Sequence, residues 1–299
     1  MGFLLRPLTE ADHERMVEII NAQVDLPMTL EEFRRQEAVR PKEMQVYRLA
    51  GQTEAGVMAG FGTISAGPLY RPGEARLSVR VEAPYQQQGL GGQLYAALEE
   101  WGREHGATFF QGFIREADTD AVAWAERRGF RKLHHLFKST LTLKGFDPTP
   151  YTGALERARS DGFRFLSLAE LPAGDETYRL LYDFYEATGR DIPGQEDTPE
   201  IPYDLFKKSL VENPRFDPAA VLIAVDGDRW AALCHMIRQN DGGYFHQFTG
   251  VRREYRGRGL SLAVKAASLQ WAMAAGVERL QTYNHSDNQR MLAVNRKMG

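Results

Sequence analysis

One segment of this sequence occurs twice, and that repeat constrains the fold more than any other feature. Gly89 recurs as Gly259, 170 positions later, and the same offset applies without a gap from residue 81 to residue 129. The pairs that it relates are Val81 and Val251, Tyr85 and Tyr255, Leu90 and Leu260, Trp101 and Trp271, Gly106 and Gly276, Gln111 and Gln281, Ala123 and Ala293, and Gly129 and Gly299. A fixed internal period indicates a repeated structural unit. We therefore predict two homologous domains.

The boundary between the two domains is predicted in residues 143–153, LKGFDPTPYTG, where prolines and glycines interrupt the periodic segments. A strand-like run, GFRFLSL, begins at residue 162 and parallels GFLLRPL near the start of the chain. We predict an N-terminal domain over residues 1–147 and a C-terminal domain over residues 160–299. A chain of 299 residues is long enough for two domains of ordinary size.

Each half is predicted to be an α/β (α+β) domain. In the first half a strand ends at Val81, a helix with apolar residues at helical spacing ends near Gly106, and a further strand and a short helix follow. Residues 131–143, RKLHHLFKSTLTL, supply the closing strand of that half. The second half repeats the order but has no counterpart of this segment after Gly299. Either the sequence is cut short there or the second sheet lacks its last strand.

Composition excludes several classes of protein. The net charge of −3 argues against a dedicated nucleic-acid binder, which is usually basic. The single cysteine, Cys234, allows no intrachain disulfide and is expected to be a buried apolar residue. No apolar run approaches the roughly 20 residues of a membrane span, and no signal peptide is evident. We expect a cytoplasmic protein without nucleic-acid, membrane or metal partners.

Two glycine-rich turns, PYQQQGLGGQLY (84–95) and EYRGRGLSLAVK (254–265), each follow a strand and open a helix. A helix N-terminus carries unpaired N–H groups and partial positive charge, and glycine lets an anion approach the backbone closely. The turns therefore suit a phosphate group. They lack the third glycine of the dinucleotide-binding fingerprint and the lysine of a P-loop, which disfavours a nucleotide-dependent oxidoreductase.

What remains is the pattern [Q/R]-x-x-G-x-[G/A], with Gln86, Gly89 and Gly91 in the first copy. The second copy has Arg256 and Gly259, with a serine in the last place. With this pattern in both copies, the sequence resembles the tandem members of the GNAT superfamily of N-acetyltransferases over nearly its whole length. The resemblance implies two GNAT-like domains, each a mixed, mostly antiparallel sheet that splays at the cofactor site and is flanked by helices. It also implies acetyl-coenzyme A as co-substrate and pseudo-symmetric packing of the domains in a monomer.

By the resemblance, backbone amides of the two turns bind the pyrophosphate of the coenzyme, and the free backbone of the preceding strand holds its pantetheine arm. Arg256 and Arg258 suit the phosphates through charge-assisted hydrogen bonds, with a solvated surface pair as the alternative. Asn284 and Asn288 would add polar contacts, for which the first copy has Ile114 and Asp118. The implied turn and strand residues are Val79, Val81, Gln87, Gly89, Gly91 and Gly92 in the first copy, and Thr249, Val251, Arg256, Gly257, Gly259 and Ser261 in the second.

Acetyl transfer to an amine requires the neutral amine, and deprotonating a lysine-like amine at pH 7 costs about 4.6 kcal/mol. His246 and His235 are candidate bases, and for each a structural role is the alternative. The backbone N–H of Val251 is the candidate oxyanion donor. Strict strand alternation would place His246 on one face with Phe248 and Gly250, and Thr249 on the other.

The general acid is undefined by the sequence. Many family members carry a tyrosine on the last helix, and that position falls on Ala125 and Asn295 here. Tyr283 is near in sequence and is expected to pack. The two domains differ in what they offer the coenzyme. The first has the fuller glycine motif, whereas the second has the better polar residues, Arg256, Arg258, Asn284 and Asn288.

Acceptor recognition is expected from residues 182–204, an aromatic and acidic segment that contains Asp191, Glu196 and Asp197. Such a segment suits a cationic amine, and a solvated acidic loop is the alternative. The leading hypothesis is an acetyl-coenzyme A-dependent N-acyltransferase, active in its C-terminal domain, which acetylates a primary amine of a small molecule by direct attack on the thioester. The alternative is a non-catalytic acyl-coenzyme A-binding sensor or scaffold.

Overall fold

The computed structural model describes residues 2–24, 27–192 and 197–298. Two positions named above, Glu196 and Gly299, lie outside the described residues. The chain forms two compact units. One comprises Met1–Arg131 with Thr198–Ile201, and the other comprises Lys132–Asp197 with Pro202–Gly299. Each unit has its own sheet.

The first unit contains a five-stranded sheet in the order β1-β2-β3-β4-β5, antiparallel except for the parallel pair β4–β5. Leu90, Leu94 and Leu98 of α3 cover one face of this sheet, and Met16 and Ile19 of α1 contribute to the core on the other. The elements are β1 Phe3–Pro7, α1 His13–Asn21, α2 Leu30–Ala38, β2 Gln45–Thr53, β3 Met58–Ala66, β4 Glu74–Val81, α3 Leu90–Glu104, β5 Phe109–Gln111 and α4 Thr119–Glu126.

The second unit contains a six-stranded sheet in the order β6-β11-β10-β9-β8-β7. Leu260 and Val264 of α8 pack on one face of the sheet, and Leu181 and Phe184 of α6 pack on the other. The elements are β6 Leu136–Thr142, α5 Thr149–Ser160, β7 Arg164–Ser167, α6 Asp175–Gly189, α7 Tyr203–Phe206, β8 Val221–Asp226, β9 Arg229–Arg238, β10 Tyr244–Val251, α8 Leu260–Ala274, β11 Arg279–His285 and α9 Gln289–Lys297. The predicted fold class, two mixed and mostly antiparallel sheets flanked by helices, is confirmed.

Strand β6 does not close the first sheet, so the expectation for residues 131–143 is wrong. It pairs antiparallel with β11 from Leu136↔His285 to Thr142↔Arg279. The edge of the second sheet is therefore filled by a strand that precedes the repeat unit in sequence, and Leu143 is buried in the core of that unit. The two units accordingly differ from the predicted ranges 1–147 and 160–299, because β6 and α5 both belong to the second unit.

Cys234 is fully buried among Ala232, Met236 and Tyr244, as predicted. In the described part of the chain, no helix has both the length and the apolar character that crossing a membrane would require.

Candidate functional site

Both glycine turns adopt the same backbone conformation. The residues before α3 and α8, Gly89 and Gly259, have φ of 90° and 76°, in the left-handed region. Two residues earlier, Gln87 and Gly257 have φ of 59° and 78°. The left-handed conformation costs an L-residue roughly 1–2 kcal/mol, so Gln87 holds a conformation that glycine adopts freely. The internal repeat therefore extends from sequence to backbone geometry.

The first turns of α3 and α8 have bare amides. Neither helix receives a side-chain cap among the described residues, and neither carries an acidic residue in its first turn. By contrast, Asp118 caps α4 and Asn288 caps α9. The first four N–H groups of a helix have no partner within the helix, so both turns present free donors and positive potential. This arrangement fits a diphosphate group.

The second and third residues of α3 are glycines, which leave no side chain between its backbone and a ligand. A Cβ atom at Gly91 would lie 3.7 Å from Val81 Cγ2, and one at Gly92 would lie 3.4 Å from Arg128 Nη2. In α8 the position of Gly91 is Ser261, which is half-buried. The serine adds one hydroxymethyl group, so the second turn is slightly narrower than the first.

The predicted splay is present in both sheets. Parallel pairing between β10 and β11 covers Tyr244 and Phe245 and then stops, and pairing between β4 and β5 stops at Arg76↔Gln111. Beyond these points the neighbouring strands part. Each gap lies toward the C-terminal end of β4 or β10, and the glycine turn follows that end of the strand.

The backbone of the parted strands faces the gap at the predicted residues. The N–H groups of Glu82 and Arg252 each donate to the adjacent strand β3 or β9, over 3.0 Å. Because strand hydrogen bonds alternate in direction, the N–H and C=O groups of the residues one and three places earlier point into the gap. Those residues are Val79 and Val81 in the first unit and Thr249 and Val251 in the second.

A side chain from each turn anchors the end of the splayed strand. Gln86 Nε2 donates to the carbonyl of Val81 over 2.9 Å, and Arg256 Nε donates to the carbonyl of Val251 over 3.2 Å. These are equivalent contacts at the 170-residue offset. They hold the turn against the strand, and they give Gln86 and Arg256 a structural role besides any contact with a ligand.

Strict alternation along β10 is wrong, because a β-bulge lies between His246 and Phe248. His246 Nδ1 lies 3.1 Å from Cys234 Sγ, and Thr249 Oγ1 donates to the same sulfur over 3.6 Å, so these two residues share the α8 face. Phe248 lies on the opposite face, where it stacks on Tyr185 with ring centroids 4.1 Å apart. The extra residue at the bulge reverses the order of faces.

The two candidate bases lie on opposite faces of the sheet. His246 is on the α8 face, where burial and then the charge of Lys265 hold the pKa of His246 well below its usual value. His235 is fully buried on the α6 face, with Nδ1 2.6 Å from Tyr185 Oη. Burial lowers the pKa of His235 to about 3. Both rings are therefore neutral at pH 7.

The low pKa of His235 predicts that the second unit loses stability in acid. Below pH 6.5 the unfolded histidine binds a proton that the folded one does not, so stability falls as pH falls toward 3. Between pH 6.5 and 5 the expected loss is about 2 kcal/mol. Urea unfolding at pH 7 and pH 5 measures it, and His235→Gln should reduce the pH dependence by that amount. An unchanged dependence in the variant would show that His235 is not the responsible group.

The arginines of the second turn are not equivalent. Arg256 and Arg253 both form ion pairs with Asp191, the Arg253 contact being 2.7 Å. The hydrogen bond from Arg253 is the main cause that lowers the pKa of Asp191. Arg258 is exposed, with its guanidinium carbon 4.8 Å from the centre of the Phe163 ring. Asp191, predicted to attract a cationic acceptor, forms ion pairs with Arg253 and Arg256 within the protein.

The predicted asparagines have partners within the protein. Asn284 is buried, and its Nδ2 donates to Ser139 Oγ of β6 over 2.7 Å. Asn288 caps α9 through the backbone N–H of Met291 at 3.2 Å, as Asp118 caps α4 in the first unit. Tyr283, expected to pack, is 55% exposed, so that expectation is wrong.

Two residues that sequence reasoning did not select lie beside Asn284. Asn295 Nδ2 donates to Asn284 Oδ1 over 2.5 Å, and Lys265 Nζ donates to Asn295 Oδ1 over 2.6 Å. Lys265 is 5% exposed. The sequence signal for Lys265 is its place among the apolar residues of LSLAVKAASL. A lysine on an amphipathic helix is expected on the solvent-facing side, away from such residues.

Two other features do not belong to the predicted site. A cavity of about 420 Å³ in the first unit is lined by Gly73 and Glu74, at the end of β4 opposite the glycine turn. His134 and His285 place Nδ1 atoms 3.6 and 3.7 Å from Asp287 Oδ2, a group that could hold a metal ion. However, the backbone N–H of Asp287 donates to His285 Nδ1 over 3.2 Å, so the lone pair of that nitrogen is already engaged within the protein.

The acetyltransferase (GNAT) family model matches residues 15–130 and again residues 174–299. This chain belongs to the GNAT acetyltransferase family. The two matches cover both glycine turns and both splayed strand pairs, and they confirm the tandem architecture expected from the sequence.

Solved structures support the same fold for this tandem GNAT protein. A tandem GNAT protein from the clavulanic acid biosynthesis pathway aligns with a TM-score of 0.73 and 18% identity, over 100% of this chain and 94% of that one. A GCN5-related N-acetyltransferase from Sphaerobacter thermophilus aligns with a TM-score of 0.69 and 23% identity, over 96% and 88% of the two chains. These likenesses concern the fold.

A curated relative matches over a shorter stretch. The mycothiol acetyltransferase of Clavibacter michiganensis subsp. michiganensis (strain NCPPB 382) is 34% identical over 87 residues, which are 29% of this GNAT protein. The match spans 28% of that relative's length.

Proposed function

We propose that this protein is an acetyl-coenzyme A-dependent N-acetyltransferase that acetylates a primary amine of a small molecule in its C-terminal domain. The observation that carries the proposal is a left-handed glycine turn with bare amides beside a splayed strand pair, which recurs in both units. The turn supplies donors for a diphosphate, and the splay exposes backbone groups for an extended amide-containing arm. We include in the proposal the cytoplasmic location expected from the sequence.

The second unit supports the assignment of catalysis to the C-terminal domain. Its turn carries Arg256 and Arg258, and the cavity beside its splay is lined by the buried Lys265 and Asn284 and the half-buried Asn295. At the same offset the first unit has Tyr95, Ile114 and Ala125. The first unit therefore has a binding turn without comparable chemistry, and in this proposal it binds the coenzyme without turnover.

In the proposed reaction the N–H of Val251 stabilises the charge that develops on the thioester oxygen as the amine attacks. His246 is the candidate acceptor of the amine proton, because it is neutral at pH 7 and lies where the strands part. Its low pKa limits the driving force for that transfer, so the proton passes on to solvent. An acceptor amine that is less basic than lysine would react more readily.

The acceptor is proposed to be a small molecule. The local similarity to a mycothiol acetyltransferase supports this choice. The exposed Tyr283 lies beside Phe245, with ring centroids 5.4 Å apart, and these rings offer an apolar surface near the splay. Asp191 contributes indirectly, since it holds Arg253 and Arg256.

A non-catalytic acyl-coenzyme A-binding sensor is the second candidate function. The observation that favours it is the absence of tyrosine at the family's usual acid position, which is Ala125 in one unit and Asn295 in the other.

Calorimetric titration with acetyl-coenzyme A, followed by a thiol-release assay with a panel of small primary amines, tests both functions. We expect saturable binding and amine-dependent release of free thiol. Binding without turnover across the panel would favour the sensor. The absence of binding would contradict both functions.

A further inference from the structure

The second unit contains an open cavity of about 210 Å³ beside the point where β10 and β11 part, and its mainly apolar lining includes several polar side chains. Residues of β10, α8, β11 and α9 line the cavity, together with residues of strand β6. The polar members used below are Ser139, His246, Lys265, Thr282, Asn284 and Asn295. The last paired residues of the two strands are Phe245 and Gln281, and His246 and Thr282 come directly after them. The cavity therefore borders the point where the strands part.

Lys265 is the buried cation of this cavity. Its Nζ donates to Asn295 Oδ1, Asn295 donates to Asn284, and Asn284 donates to Ser139. No carboxylate among the described residues forms an ion pair with Lys265, and its hydrogen-bond acceptor is the neutral amide of Asn295. Burying an ammonium costs several kcal/mol unless its surroundings compensate for lost water. One hydrogen bond to a neutral amide compensates only part of that cost, and this points to a role for Lys265 in binding or catalysis.

The first unit shows that the fold does not require this chain of polar residues. At the 170-residue offset, Tyr95 replaces Lys265 and Ala125 replaces Asn295. Tyr95 packs edge-on against Trp124 and Phe130, with ring centroids 5.3 and 5.9 Å apart. The equivalent helix thus packs with an aromatic residue in one unit and carries a buried ammonium in the other.

We propose that Lys265, positioned by Asn295, is the acid that protonates the departing thiolate in the C-terminal domain. This inference rests on the proposed function. The amine nitrogen bonds to the acetyl carbon, and the carbon–sulfur bond breaks with its electron pair on sulfur. Lys265 Nζ donates one proton to that sulfur and is reprotonated from solvent, which has received the proton lost by the amine. The products are the N-acetyl amine and the free thiol.

The electrostatic surroundings suit such a transfer. Burial lowers the pKa of Lys265 below the usual value of a lysine, toward the value of about 8.5 for an alkyl thiol. General acid catalysis is most effective when the pKa of the acid lies near the working pH, and the lowered pKa of Lys265 is a change in that direction. The titratable and charged groups around Lys265 are His246 and Cys234 from the sheet and Arg296 from α9.

Lys265→Met tests the inference by comparing binding with turnover. We expect kcat to fall about 100-fold or more while the Kd for coenzyme A changes less than about threefold. Ser268→Ala is the matched control, because Ser268 is fully buried one turn further along α8 and donates to the carbonyl of Lys265. That control should leave kcat within about twofold.

A second readout does not depend on turnover. The ultraviolet absorbance of bound coenzyme A reports its thiolate, and we expect the thiol pKa to rise by about one unit in Lys265→Met, since a nearby cation favours the thiolate. Lys265→Arg keeps the charge but does not release a proton, so it should lose turnover and keep the lowered thiol pKa. Lys265→Gln, which can keep the hydrogen bond to Asn295, provides a second neutral variant and should match Lys265→Met.

The outcomes separate this inference from the proposed function. A wild-type protein that neither binds coenzyme A nor releases thiol would contradict the proposed function itself. If the wild type turns over, and both neutral variants keep its kcat and its thiol pKa, the role of Lys265 is wrong while the acetyltransferase function stands.

Discussion

Gly259→Asp is expected to weaken coenzyme A binding at the C-terminal turn by about 100-fold or more. The carboxylate would stand at the N-terminus of α8, against the same bare amides that we assign to the diphosphate. Two unit charges about 5 Å apart repel by roughly 3 kcal/mol at an effective dielectric of about 20, which corresponds to more than 100-fold in Kd. Calorimetric titration gives both the affinity and the number of sites.

The opposite end of the same helix supplies a matched control. Gly276 has φ of 71°, close to the 76° of Gly259, and a Cβ atom at either position would meet nothing within 4 Å. Gly276→Asp therefore introduces the same residue and the same backbone strain far from the turn, and it should leave binding unchanged. Gly89→Asp should remove the N-terminal site alone. Equal affinity in Gly259→Asp and Gly276→Asp would show that the turn does not hold the diphosphate.

The glycine turns could be predicted from the sequence because the information in them is local. Left-handed φ at Gly89 and Gly259 is consistent with glycine at the residue before an apolar-striped helix, and the offset of 170 positions relates the two turns to each other. The splay was implied by the resemblance to the family, and the pairing of β10 with β11 over two residues confirms it.

The contacts that join distant segments could not be predicted. The pattern of residues 136–142 predicts a strand, but it does not say which sheet the strand enters. The bulge in β10 places His246 on the same face as Thr249 and not with Phe248. One inserted residue in a short strand gives no clear signal in the sequence. The ion pair of Asp191 with Arg256 joins residues 65 positions apart. Lys265 was missed because burial of a lysine depends on the partners that the fold brings to it.

A fragment of residues 132–299 is expected to fold on its own, whereas a fragment of residues 160–299 is expected to be unfolded or aggregated. The shorter fragment lacks β6, which pairs with β11 along its whole length, and lacks the buried Leu143 and Leu155. Loss of a buried leucine side chain typically costs about 2–5 kcal/mol, and a domain has only about 5–15 kcal/mol of stability. Removing β6 also exposes β11 as an unpaired edge, which favours association between chains. Circular dichroism and thermal unfolding measure the difference.

The N-terminal half provides the reciprocal comparison, because residues 132–147 have their partners in the second unit. A fragment of residues 1–147 should melt within about 2 °C of a fragment of residues 1–131, since the added segment finds no strand to pair with. If β6 instead stabilised the first sheet, the longer fragment would melt clearly higher, and residues 160–299 would fold without it. Those two results together would show that β6 belongs to the first domain. The two results that we expect would show that the segment between the repeats is part of the C-terminal domain. Its strand hydrogen bonds and its buried leucines, Leu143 and Leu155, both lie in that domain.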